Sequence, residues 1–271
     1  MKSEGAPSKA VQFPILGASS PGDAYSSIVS RLEKSPCRPL RLIVNFQPFS
    51  DLSQDSIQLI DFMKQEIKAW ASVLGQRTID SMWVFHPFQH IATFELTRLL
   101  HIIASQFHIP EDQEKKFAVI THTEDINTSH LALSKGLGFS HFQIVVNQEC
   151  SDSLKQLHEK IGLLRQYNVD SIGIQLQNTD CLNEARDAIK KLQHHCEPDY
   201  FCLSNHQNGF ELILDNGTDF GGELQKDDID VLALGPEAKS SVGDIHLQNF
   251  CSSKKYQNSL EAQKLPIYPH L

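Results

Sequence analysis

The stretch PLRLIVNF, residues 39–46, sets the fold class of this chain. It is a nearly continuous apolar run that follows a proline, which predicts a strand buried on both faces of a sheet. Downstream, Ile60, Met63, Ile67 and Trp70 recur at the spacing of one helix face. A buried strand followed by an amphipathic helix predicts a β-α unit with parallel strands.

The same alternation continues to about residue 203. Further strands are predicted at 79–85, 117–121, 142–146, 171–176 and 200–203, and further helices at 93–107, 128–135, 153–166 and 182–194. Six such units predict an α/β protein in which residues 38–204 form an incomplete (β/α)6 TIM-like barrel or an open doubly wound sheet. In either fold, a ligand site is expected at the carboxyl ends of the strands.

Two segments flank this predicted barrel. Residues 1–37 are expected to form an N-terminal extension, with a helix near 24–32. Residues 205–271 are richer in glycine and polar residues, and we expect them to pack on the barrel as hairpin and loops. Residues 1–30 have no apolar stretch behind a basic start, so no secretory signal is predicted and the cytoplasm is the expected location.

Charge and hydropathy exclude two classes of partner. The 271 residues contain 24 basic and 33 acidic side chains, for a formal net charge of −9. A protein that binds nucleic acid by general attraction needs a surplus of lysine and arginine, so no nucleic-acid partner is predicted. No apolar run approaches the roughly 18 residues that span a bilayer, so no membrane association is predicted.

The side chains that could carry chemistry form no convincing catalytic set. The six cysteines are scattered, at least six positions apart, and lack the spacing by which one loop holds a metal or cluster. His86, His90 and His122 follow predicted strands, where barrel enzymes keep functional groups. Pro87 argues against a regular helix between His86 and His90, and solvated or hydrogen-bonded histidines are the simpler interpretation. We therefore predict no metal site.

One segment resembles a known family. Residues 230–249 read DVLALGPEAKSSVGDIHLQN and resemble the D-L-L-G-x-G-x-x-A-x-S-x-x-G-D segment of oxygen-independent coproporphyrinogen III oxidases, which are radical S-adenosylmethionine enzymes. The matching positions are Asp230, Leu232, Gly235, Ala238, Ser240, Gly243, Asp244, Gln248 and Asn249. The resemblance implies an incomplete (β/α)6 barrel of the radical S-adenosylmethionine type, with parallel strands.

The chain differs from that family at the positions where the family binds its cluster and S-adenosylmethionine. The family holds a [4Fe–4S] cluster with C-x3-C-x2-C after the first strand, whereas residues 47–54 read QPFSDLSQ. The family's glycine-rich segment after the second strand corresponds here to VFHPF at 84–88. Ile120, Asn147 and Gln175 stand where the family has Glu, Gln and Asp, and Ala233 replaces a glycine of the resembling segment.

These departures predict a catalytically degenerate protein that has neither an iron–sulfur cluster nor S-adenosylmethionine. By resemblance, its expected partners are a tetrapyrrole-like ligand or another protein. The candidate ligand-binding residues are Asn45, His86, His90, Asn147, Gln175, Gly235 and Ser240. The alternative is an enzyme that reuses the barrel mouth with His86, His90 and His122 as acid/base or metal groups. For residues 230–249 we favour a packing role over a place in the site, because packing alone can explain their small side chains.

Overall fold

A computed structural model describes residues 21–46, 56–110, 116–147, 153–177, 198–205, 209–215 and 229–268. The helix predicted at 182–194 and the loop at 47–54 lie outside these ranges. Within them, no helix is long and apolar enough to cross a membrane.

The described elements follow the predicted alternation of strands and helices. The first six strands are β1 (Leu40–Asn45), β2 (Ile79–Phe85), β3 (Lys116–His122), β4 (His141–Asn147), β5 (Ser171–Gln177) and β6 (Tyr200–Asn205). The helices are α1 (Pro21–Glu33), α2 (Ser56–Leu74), α3 (Pro87–His90), α4 (Thr93–Gln106), α5 (Thr128–Gly136) and α6 (Ser153–Gln166), with a 3₁₀ turn at Thr123–Asp125.

The strands form an open sheet in the order β10-β9-β8-β1-β2-β3-β4-β5-β6-β7. Strands β1 to β6 are parallel and lie in chain order, and β7 (Gly209–Asp215) is antiparallel to β6. The described strands do not close into a ring, because β7 and β10 are the two ends of the order. The fold is therefore α/β with a parallel sheet that forms an incomplete TIM-type barrel, as predicted.

Residues 229–268 add three strands to this sheet and one helix. Strand β8 (Asp230–Leu234) pairs in parallel with β1, followed by the antiparallel strands β9 (Lys239–Val242) and β10 (Ile245–Gln248) and by helix α7 (Ser253–Glu261). Our expectation of hairpin and loops for residues 205–271 thus missed a sheet strand. The proposed domain boundaries 1–37, 38–204 and 205–271 stay a prediction.

Alternation along each strand gives the sheet two different faces. One face packs against the helices and includes Leu42, Val44, Met82 and Val84 in the main core. The opposite face, which we call the inner face, carries a smaller cluster of buried residues with two half-buried neighbours: Trp83, Ala118, Ile120 and Val145, with Ile43 and Phe85. Because such barrels are filled by side chains, any ligand must approach at the strand ends.

Candidate binding site at the carboxyl ends of the strands

The most unusual backbone at this edge of the sheet belongs to His86, immediately after β2. Its φ of 50° and ψ of 42° lie in the left-handed region, which non-glycine residues seldom adopt. Its backbone N–H donates to the carbonyl of Ile120 at 2.7 Å, which ties the turn to β3. Such strained residues persist when their surroundings hold them and concentrate at functional sites.

The side chain of His86 is buried but incompletely paired. It is 3% exposed, and its Nδ1 atom has no hydrogen-bond partner in the part of the chain that the structure describes. The imidazole stacks on His122 at the end of β3, with ring centroids 4.7 Å apart and 25° between the planes. Burial, then the nearby His122 and His90, lower the pKa of His86 to about 4. His86 is therefore neutral near pH 7, with one ring nitrogen as donor and the other as acceptor.

His90 completes a group of three histidines at this edge. It is half-buried at the end of α3, and burial lowers its pKa against the opposing effect of Asp125. Pro87 occupies the first position of this four-residue helix, where its missing N–H costs nothing, so the helix includes His90 but not His86, as our sequence argument about Pro87 expected. Among the described residues, no group of three or more His, Cys, Asp or Glu side chains has the arrangement of a metal site.

A second pair of rings lies beside the first and was missed by the sequence analysis. Phe88 of α3 stacks on His130 of α5, with centroids 4.1 Å apart and 7° between the planes. Nδ1 of His130 is 2.6 Å from the carbonyl oxygen of Asp125 and 3.0 Å from Nδ2 of Asn127. The available signal was Asn127, whose side chain caps α5 by accepting from the His130 N–H at 2.9 Å.

The neutral polar candidates are placed by strand register. Asn45 is half-buried at the end of β1, opposite Phe85. Gln175 is buried on β5 and accepts a 2.6 Å hydrogen bond from Nε2 of Gln143 on β4. Asn147 is the last residue of β4, and its side chain is outside the described part of the structure. Parallel pairing brings the ends of these strands to the same edge as the histidines.

Gly235 and Ser240 are engaged with protein groups. Gly235 has a φ of 109°, and its N–H donates to Oε2 of Glu66 at 2.9 Å. The hydroxyl oxygen of Ser240 accepts from the N–H of Ala233 at 3.0 Å. These contacts support the packing interpretation of residues 230–249.

Other positions of the resembling segment also have structural partners. Asp230 accepts from Arg77 at 2.5 Å within the interior and from the Gly243 N–H at 2.8 Å in a partly buried position. Asp244 pairs with Arg31 at 3.0 Å on the surface. The pattern that the sequence shares with the oxidase family therefore holds the end of the chain against the barrel.

This architecture is that of an open α/β barrel with a parallel sheet. The chain is similar to coproporphyrinogen III oxidase (HemN) from Escherichia coli, which is described as a radical SAM enzyme, with a TM-score of 0.69 and 16% identity. The likeness covers 90% of this chain and 74% of that chain, and it confirms the predicted fold. No family model and no curated protein matches the sequence.

Proposed function

We propose that this protein binds a ligand at the mouth of its open barrel and carries out no radical chemistry. We define the mouth by Asn45, Phe85, His86, His90 and His122. The observation that carries the proposal is His86, a strained and buried residue whose Nδ1 has no hydrogen-bond partner among the described residues. A buried polar atom of this kind costs free energy, which a hydrogen bond from a ligand would recover.

The donor atoms near β1 do not fit a [4Fe–4S] cluster. Residues 47–54, which follow β1, offer hydroxyls, amides and one carboxylate, which are poor ligands for a soft iron–sulfur site. Cys37 is exposed and precedes β1, at the opposite end of the strand from the mouth, and Cys251 is exposed after β10, whereas Cys150, Cys181 and Cys196 lie outside the described residues. We therefore propose that the protein holds neither the cluster nor S-adenosylmethionine.

The chemistry of the mouth favours a ligand with a flat, uncharged ring system, whose charged substituents would stay in solvent. Two stacked ring pairs, His86 with His122 and Phe88 with His130, present aromatic surface at one edge of the sheet. The neighbouring polar groups, Asn45 and the neutral His86, give hydrogen bonds without a fixed charge. The resemblance to coproporphyrinogen oxidases makes a tetrapyrrole the first ligand to test. The other possible outcome is that the mouth binds a protein partner. In either case we propose that the protein acts in the cytoplasm.

Titration with coproporphyrin III tests this proposal directly. We expect saturable binding, seen as a change in porphyrin absorbance, with a dissociation constant of about 1–10 μM, or roughly −7 to −8 kcal/mol. His122→Ala should weaken binding at least tenfold, whereas His101→Ala, at an exposed position of α4, should leave it unchanged. Equal affinity for both variants would refute the proposed site. A protein partner would be favoured if coproporphyrin did not bind and if another protein co-purified with the wild type but not with His122→Ala.

Reconstitution tests the absence of the cluster separately. After anaerobic incubation with iron and sulfide followed by desalting, we expect no retained iron. About four irons per chain with a broad absorbance near 400 nm would show that the protein assembles a cluster.

The convergence of the three histidines also supports a second candidate, an enzyme that uses them as acid/base groups. A pKa near 4 makes His86 a weak base at neutral pH, so His122 would be the proton carrier. This candidate predicts turnover of a bound ligand with a pH profile that His122→Gln abolishes. Binding without turnover favours the first proposal.

A further inference from the structure

Glu66 is a buried carboxyl group that has no part in the mouth. It lies on α2 and is 0% exposed. Its Oε2 accepts from the Tyr256 hydroxyl at 2.5 Å and from the Gly235 N–H at 2.9 Å, and its Oε1 accepts from Asn249 Nδ2 at 2.6 Å. All three donors belong to residues 229–268, which we call the C-terminal segment.

We propose that Glu66 is a proton-controlled latch that holds the C-terminal segment against α2. The ionised carboxylate is buried with three donors, none of which carries a charge, so its lost hydration is incompletely offset. Uptake of one proton removes the charge and its burial penalty. The segment is therefore held more firmly when Glu66 is protonated.

Of Glu66 and its partner Tyr256, only Glu66 changes its protonation near neutral pH. Burial raises the pKa of Glu66 to about 7, although its hydrogen bonds act in the opposite direction. Burial and the adjacent Glu66 raise the pKa of Tyr256 well above 10, so its hydroxyl stays a donor.

The described charged groups on the elements packed against α2 are either paired with one another or exposed. The pairs are Arg98 with Asp61 and Glu95, Arg31 with Asp244, and Arg77 with Asp230, and the exposed groups are Glu33, Lys254, Lys255 and Glu261. Tyr256 is therefore the titratable group that faces Glu66 from these elements.

The latch has a consequence for the barrel because the segment includes β8. That strand pairs with β1 from Leu40 to Val44, next to Asn45 at the mouth. Release of the segment as a unit would expose this edge of β1, so rising pH would loosen one side of the sheet.

Hydrogen exchange of the full chain between pH 6 and pH 8 tests the latch. When the segment opens, Glu66 meets water and returns to its ordinary pKa of 4.5, so opening above that pH releases a proton. After correction for intrinsic exchange, protection of residues 229–268 should fall about tenfold between the two pH values. Protection of α6 should not follow this change. Protection of the segment that is independent of pH would overturn the proposal.

Three variants separate the latch from ordinary packing. Glu66→Gln should abolish the pH dependence, whereas Asp61→Asn, on the same helix, should keep it. Tyr256→Phe removes one donor from the ionised carboxylate, so the pH at which protection falls should move upward. This last variant decides the question if Glu66→Gln does not fold. An unchanged fall in Glu66→Gln, or an unmoved midpoint in Tyr256→Phe, would refute the latch.

Discussion

The mouth and the C-terminal segment treat their buried polar groups in opposite ways. In the segment, Asp230 and Asn249 each find partners within the protein, and Asn249 donates both to Glu66 and to the Gly235 carbonyl at 2.7 Å. At the mouth, His86 has a strained backbone and a buried Nδ1 that has no partner among the described residues. The resemblance to the oxidase family lies in the first region, where Ala233 is one departure, and the departure VFHPF at residues 84–88 lies in the second.

This difference separates what holds the fold from what a ligand would use. Hydrogen bonds and ion pairs account for the pattern positions of residues 230–249, so substitutions there should cost stability. At the mouth, the strained backbone and the buried Nδ1 of His86, unpaired within the described ranges, lower the stability of the fold. Substitutions at the mouth should therefore change binding more than stability. Four predictions test this contrast.

The largest effect is expected at the buried pair between Arg77 and Asp230, whose side chains are 3% and 2% exposed. Asp230→Ala leaves the Arg77 charge buried and uncompensated, which should cost about 3–5 kcal/mol in urea unfolding. Asp244→Ala breaks the exposed pair with Arg31 and should cost less than about 1 kcal/mol. Similar losses in the two variants would contradict this assignment.

The two regions should also respond to pH in opposite directions. The pKa of Glu66 is raised in the folded state, so its contribution to stability is full below about 4.5 and lost as pH rises through about 7. The pKa of His86 is lowered, so its contribution is present above about 6.5 and lost as pH falls through about 4. Each difference between the folded and the unfolded pKa changes the free energy of unfolding by about 3 kcal/mol over the pH range between the two values.

Unfolding free energies at pH 4.5 and pH 7 check this prediction. The advantage of the wild type over Glu66→Gln should shrink as pH rises, and its advantage over His86→Asn should grow. Asparagine is a suitable replacement because it tolerates the left-handed backbone. Changes of the same sign in both variants would disprove the contrast.

A smaller effect is expected at Gly235. With a φ of 109°, this position strains any residue that has a β-carbon, and Gly235→Val should cost about 1–3 kcal/mol. Coproporphyrin binding by the folded variant should be unchanged, because the glycine serves packing. A stable Gly235→Val protein that no longer binds would place the glycine in the site instead.

The smallest effect concerns the pKa of His86. Nuclear magnetic resonance titration of His122→Gln should show the His86 pKa above about 4 yet still below the ordinary 6.5, because burial is the larger cause. His101→Gln should leave it unmoved. A return to 6.5 in His122→Gln would mean that the neighbouring ring, rather than burial, controls His86.

Local sequence patterns predicted the barrel strands well. The apolar runs at 79–85 and 171–176 differ from β2 and β5 by at most one residue, since a buried parallel strand needs a continuous apolar run. The placement of β8 was missed because a five-residue strand, DVLAL, does not reveal its neighbour. Only the sheet order shows that it lies beside β1.

The sequence placed three histidines after predicted strands, and the structure brings them to one edge of the sheet, but their role in binding stays a prediction. His86, His90 and His122 were identified because they follow strands, and parallel strands end at one edge of a sheet. The stacking of His86 on His122 and of Phe88 on His130 depends on contacts between separate loops. No spacing along the chain encodes such contacts.

The sequence by itself determined the α/β class, the strand-helix repeat and the absence of cysteines from residues 47–54, because periodicity and composition are local properties of the chain. Tertiary structure alone decided which polar groups are paired. Gly235, Asn249 and Tyr256 meet Glu66 across some 170–190 residues, and His86 is enclosed without a partner for Nδ1 among the described residues. Burial and hydrogen bonding arise from the packing of distant segments, and they shift the pKa values of Glu66 and His86.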